Sequence, residues 1–121
     1  MVVETFFENV QLHAMEHRAL KAGEEAQNVI LQFTPEPAEP LLIACLWSHW
    51  TDAKEPDVRG FAAITDEPPA DVAAAGHDRC IVNIRPEHVE AWLTPEGRSR
   101  EELQAILSDR TLPVIQYQKA A

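Results

Sequence analysis

His77-Asp78-Arg79 places an imidazole, a carboxylate and a guanidinium side by side. An imidazole changes charge near neutral pH and can give or take a proton at a reacting centre. Its structural alternative is a histidine that hydrogen-bonds to fix its loop, with Asp78 accepting. Arg79 has the fork geometry that suits a phosphate, or else it pairs within the chain with Asp78, Asp71 or Glu4. Trp47 and Trp50 are candidate base-stacking surfaces. Standing three apart on one strand, they face opposite sides, so at most one belongs to a core. His77-x-x-Cys80, taken with Cys45 or His49, is one short-spaced pair rather than the two that a structural zinc site wants, so no metal is expected. Neither Ser48 nor Ser99 sits in a nucleophile-elbow sequence.

The loop that carries His77 needs strands on either side. Gly60 to Thr65 reads as the strand before it and Cys80 to Ile84 as the strand after it, with Pro68 to Gly76 as a turn of small residues between. Asn28 to Thr34 and Leu41 to Trp50 are β-rich and are expected to form a hairpin across a proline-rich turn, Pro35 to Pro40. Thr51 to Arg59 reads as a polar loop. Thr5-Phe6-Phe7-Glu8 has the form of a capping box, and Phe7, Val10 and Ala14 recur at helical spacing, which predicts a helix reaching about Lys21 with Gly23 as its stop. Pro86 predicts a helix start. Ser99-Arg100-Glu101-Glu102 is a second capping box, opening a helix with Leu103, Ile106 and Leu107 on one face. Val114 to Gln118 is expected as a closing strand. The pattern is that of an α+β domain with a mainly antiparallel sheet or partial barrel and flanking helices.

A chain of 121 residues is one domain by length and can bury roughly two-thirds of its unfolded surface. Its 45% apolar and 25% charged content are those of an ordinary globular protein, and no apolar run nears the roughly 18 residues of a transmembrane helix, so none is expected. Glu4 and Glu8 stand where a signal peptide would be basic, and Cys45 and Cys80 read as buried free thiols. A cytoplasmic protein is the resulting expectation. The net charge of −10, from 10 basic and 20 acidic side chains, opposes nucleic-acid binding except where basic groups cluster. Arg79 and Arg85 flank one strand, and Arg98, Arg100 and Arg110 fall near the last helix.

Several segments stand in a telling order. Pro40 to Trp50 ends in Leu-Trp-x-x-Trp, and Phe61 to Thr65 runs into Ile-Thr. His77-Asp78-Arg79 follows, then Pro86 to Leu93 with Trp92-Leu93 at its end, then the tail Ser99 to Ala121. Together they resemble the SOS-response-associated peptidase family, proteins that crosslink themselves to abasic sites in single-stranded DNA. His77-Asp78-Arg79 is similar to the family's H-D-R-M-P, with Cys80-Ile81 in place of Met-Pro, and Val3-Glu4-Thr5 is similar to the end of its N-A-R-x-E-T. The resemblance implies His77 as the catalytic histidine, assisting ring opening of the abasic sugar. It implies Arg79, Thr65 and Glu4 as substrate-binding residues, Arg79 toward phosphate and Thr65 lining the DNA site. Neither cofactor nor metal is implied. The family's G-[FW]-[YF]-E-W hairpin, which supplies a catalytic glutamate, is expected after Leu20, where the chain has Glu24 and Glu25 but no aromatics.

Position 2 is Val2, where the family has its reactive cysteine. The reading is therefore of a single domain, residues 1–121, without the family's N-terminal part. Weakened or lost catalysis is expected, and whether the chain is an enzyme stays open. Its expected partner is single-stranded DNA with an abasic site, without membrane association. The alternative is a non-catalytic binding or regulatory module whose exposed sheet edge meets a second polypeptide or a second copy of itself.

Overall fold

A computed structural model describes residues 1–121. The fold is α+β and its ladders are all antiparallel, but they do not close into a barrel. Three strands form the main sheet: β2 (Phe6–Gln11), β3 (Asn28–Glu36) and β9 (Val114–Lys119), in the order β2-β3-β9. Phe6 pairs with Phe33 and Gln11 with Asn28 along β2 and β3, while Phe33 pairs with Tyr117 on the other side. The Phe6 and Phe33 rings stack at 5.0 Å, a geometry that adds to the area both rings bury.

This sheet overturns the helix expected from Thr5 to Lys21. Phe6, Glu8 and Val10 alternate with exposed Phe7, Asn9 and Gln11, the period of a strand with one face buried. The helical spacing of Phe7, Val10 and Ala14 is real but loses to the ladder that β3 offers, because local propensity is a weak prior against tertiary pairing. Only one helical turn remains, α1 (Leu12–Met15).

The expected hairpin between residues 28–34 and 41–50 does not form either. β3 runs on through Pro35, which stands opposite Ile115 and beyond the last β2 pair, so the missing proline N–H interrupts no ladder bond. Leu41 and Leu42 form β4, which pairs with β1 (Val2–Val3) instead. The segment then continues as β5 (Cys45–Asp52) and folds back as β6 (Glu55–Ala63), so the expected loop 51–59 is mostly strand. The tight turn at Ala53-Lys54 makes that hairpin local, and Asp52 accepts from the Lys54 N–H at 2.8 Å.

The rest positions the His77 loop. β7 (Thr65–Asp66) pairs with β8 (Cys80–Ile81), so Thr65 lies opposite Ile81 and Asp66 opposite Cys80. Between them α2 (Ala70–Ala74) occupies part of the stretch expected as a turn, burying Val72 against the main sheet. A second core gathers Ala44, Val82, Ile84 and Ile106, with Trp92 and Leu103 packed on it. It is covered by a 3₁₀ turn at Pro86–His88, by α3 (Val89–Leu93) and by α4 (Arg100–Ser108). Pro86 opens its helix as expected. Ser99 accepts from the Glu102 N–H at 3.1 Å while the Ser99 N–H donates to Glu102 at 2.7 Å, completing the second capping box. No helix is long and apolar enough to cross a membrane.

Candidate functional site

β2 is the strand that the sequence misread, and it supplies the residue that makes the site. Glu8 is on the inward face of β2 between buried Phe6 and Val10. A carboxylate at such a position loses part of its hydration and needs a polar partner. His77 meets it, with Nε2 at 3.3 Å from Glu8 Oε2.

His77 is held from three sides. Two residues past the end of α2 stands Gly76, whose φ of +92° is natural only to glycine. A Cβ there would come within 3.0 Å of the Ala14 backbone and of Val10 Cγ1, so the absence of a side chain lets α2 lie close against β2 and α1. The His77 N–H donates to Val72 O at 3.3 Å. The ring's Nδ1 lies 2.7 Å from Arg79 O and 3.2 Å from the Arg79 N–H, so the Arg79 backbone holds this nitrogen whether it donates or accepts. That leaves Nε2 as the ring nitrogen that faces Glu8. When both nitrogens are protonated, Arg79 O and Glu8 accept from the two sides.

Arg79 and Thr65 come together here as well. The guanidinium donates to Thr65 O at 2.7 Å and to Thr65 Oγ1 at 3.1 and 3.3 Å. None of Asp78, Asp71 or Glu4 forms an ion pair with Arg79, and Asp71 instead accepts from the Ile115 N–H. Both Arg79 and Thr65 are exposed, so this cation stands at the surface, forming no ion pair and with Asp66 as a charged neighbour. Nearby, Asp66 is held below the usual carboxylate range by the Glu67 N–H and by Arg110, which donates to it at 2.7 Å.

Other candidates fall elsewhere. Glu4 is exposed and lines a groove with Thr5, Thr34 and Glu39, with no hydrogen bond or ion pair to His77, Arg79 or Thr65. Glu24 is not the catalytic glutamate sought after Leu20. Arg18 grips its two oxygens at 2.6 and 2.7 Å and the Lys21 N–H donates at 2.9 Å, which holds its carboxyl down at about 2, chiefly through Arg18. Glu25 is exposed beside it. His49 pairs with Asp57 at 3.0 Å on the β5–β6 hairpin, and both Trp47 and Trp50 are exposed.

The two thiols differ. Cys80 is buried, and burial, reinforced by the negative charge of Glu8, pushes its thiol up, away from the nucleophilic thiolate. Cys45 is half-buried, with Sγ 3.6 Å from Ile43 O. The site is thus a carboxylate–imidazole pair beside an outward-facing arginine, fit for moving protons next to an anionic ligand.

Sequence reasoning missed Glu8 by reading it as the third residue of a helix cap. The available signal was the run Phe6-Phe7-Glu8, an aromatic pair followed by a glutamate. That is the core of the motif sought some fifteen residues further on. A family model described as SOS response associated peptidase (SRAP) matches residues 1–119. No curated protein matches the chain.

Proposed function

The chain belongs to the SOS response associated peptidase (SRAP) family, and from that we propose that it acts on abasic sites in single-stranded DNA, with Glu8 and His77 as its proton-transfer pair. The observation that carries this reading is the 3.3 Å contact between an inward-facing carboxylate and an imidazole held by the Arg79 backbone.

An abasic deoxyribose rests mainly as a closed hemiacetal. Opening it removes the proton from the C1′ hydroxyl, breaks the C1′–O4′ bond and delivers a proton to O4′, leaving an aldehyde at C1′ and a hydroxyl at C4′. In our reading Glu8 takes the first proton and His77, protonated, gives the second. Such paired transfer contributes typically 10²–10⁴-fold. Arg79, steadied by Thr65, meets the phosphate beside the lesion. Covalent capture of the aldehyde is not assigned to the thiols of Cys80 or Cys45, given the burial of one and the position of the other.

The test uses a strand with one abasic site and an aminooxy reagent that captures only the open aldehyde. The chain should speed capture, and Glu8→Gln and His77→Ala should each lower that acceleration by about 10²-fold. Arg79→Ala should weaken binding to abasic and intact strands alike, measured by fluorescence anisotropy at low salt. Capture at the same rate with and without the chain would overturn the reading. The net charge of −10 favours a second one, a non-catalytic module that binds protein. Absence of binding to either strand would select it.

A further inference from the structure

The hairpin of β5 and β6 carries an asymmetry that the DNA reading does not use. The two strands bond to each other and to no third strand, so each has a free edge. No backbone hydrogen bond outside their own ladder involves residues 46–52. Free edges invite pairing, and proteins blunt them with charge and proline. β6 is blunted in this way: its first five residues are Glu55, Pro56, Asp57, Val58 and Arg59. β5 is not. From Cys45 through Thr51 it has no Asp, Glu, Lys or Arg, and its one acidic residue, Asp52, stands at the end. Trp47 is 74% exposed, Leu46 62% and Trp50 50%.

We propose that β5 is a docking edge for a second copy of this chain, pairing antiparallel with its own counterpart about a two-fold axis to give a continuous four-stranded sheet. Such an isologous contact closes at two chains. Two chains of net charge −10 repel, so they can meet only on a segment without net negative charge, and residues 45–51 are such a segment. The exposed parts of Trp47 and Trp50, on opposite faces of the strand, offer at most about 300 Å² per chain. With the strand edge and Leu46 added, the contact stays below the roughly 800 Å² per partner of standard interfaces, so a weak, reversible dimer is expected.

Sedimentation equilibrium of the whole chain from micromolar to millimolar concentration tests this. The expected result is a mass approaching twice that of the chain, with dimerisation strengthened by added salt as the charge is screened. Ser48→Lys, at an exposed position in mid-strand, should weaken association at least tenfold while leaving the far-ultraviolet dichroism unchanged. Ser48→Cys should give an oxidised dimer on a non-reducing gel, since strand pairing about a two-fold axis brings position 48 near its own copy. A monomer at every concentration would overturn the proposal and leave the edge to a different polypeptide. A dimer indifferent to Ser48→Lys, without Ser48→Cys crosslinking, would overturn it too by placing the contact elsewhere.

Discussion

The β2–β3 ladder and the β5–β6 ladder are both antiparallel, both rich in aromatics, and opposite in how they are used. In the first, Phe6, Leu31 and Phe33 are buried under α2 and next to β9, and the one charged residue on the inner face, Glu8, is met by His77. In the second, nearly every side chain is exposed on both faces, including Trp47 and Phe61 at a directly opposed pair. The first ladder therefore stabilises the fold and holds the site, while the second extends away from both. Hydrogen-bonded pairing alone does not make a core; what decides is whether a third element covers the ladder.

The largest expected contrast comes from removing one phenylalanine on each ladder. Phe33→Ala should destabilise the protein by about 3–5 kcal/mol through the cavity it leaves. Phe61→Ala, at a position 70% exposed, should change stability by no more than about 0.5 kcal/mol. Thermal melts of the two variants measure this directly, and a large loss from Phe61→Ala would mean that the hairpin is covered in solution.

Gly76→Ala should come next. It forces a side chain into a positive-φ position and against Ala14 and Val10, for about 2 kcal/mol. Because Gly76 sets where His77 stands against Glu8, the aminooxy-capture acceleration should fall even at temperatures where the variant remains folded. Full acceleration in a folded Gly76→Ala protein would separate the site from the α2–β2 approach.

The smallest effect belongs to the Arg18–Glu24 clamp, which lies outside both ladders. The Glu24 pKa is lowered from an ordinary 4.5 to about 2, mainly by the Arg18 hydrogen bonds. A lowered carboxyl pKa contributes stability that is present above the unfolded value and fades as pH falls toward the folded one. The Lys21 amide should thus lose protection between about pH 4.5 and 2, with Glu24→Gln removing that pH dependence. Hydrogen exchange of that amide measures it, and the main sheet should not respond.

Much of the second core was legible in the sequence. Ser99 with Glu102, and Pro86 at its helix start, are set by residues within a few positions of one another, and such local chemistry acts before any tertiary contact forms. The His77 loop between two strands was legible for the same reason. The α2 turn inside it was not, because Ala70 to Ala74 is short and its Val72 is worth burying only against a sheet the sequence does not display.

Phe6 to Gln11 marks the limit more sharply. The segment satisfies a helix cap and helical spacing, and it also satisfies a strand with Phe6, Glu8 and Val10 on one side. Composition cannot choose between the two; the partner strand β3, some twenty residues on, chooses, because its ladder and the stacked Phe33 reward only the extended form. The choice of strand is also the choice of site, since it turns Glu8 inward to meet His77. The sequence by itself determined the family resemblance, the histidine loop and the capped C-terminal helix, all of which rest on short-range patterns. Only the tertiary structure decided which glutamate faces the histidine, that Arg79 leans on Thr65 rather than an acid, and that β5 keeps a bare edge. Each of those depends on which distant segments pair, and pairing is settled by burial across the whole chain.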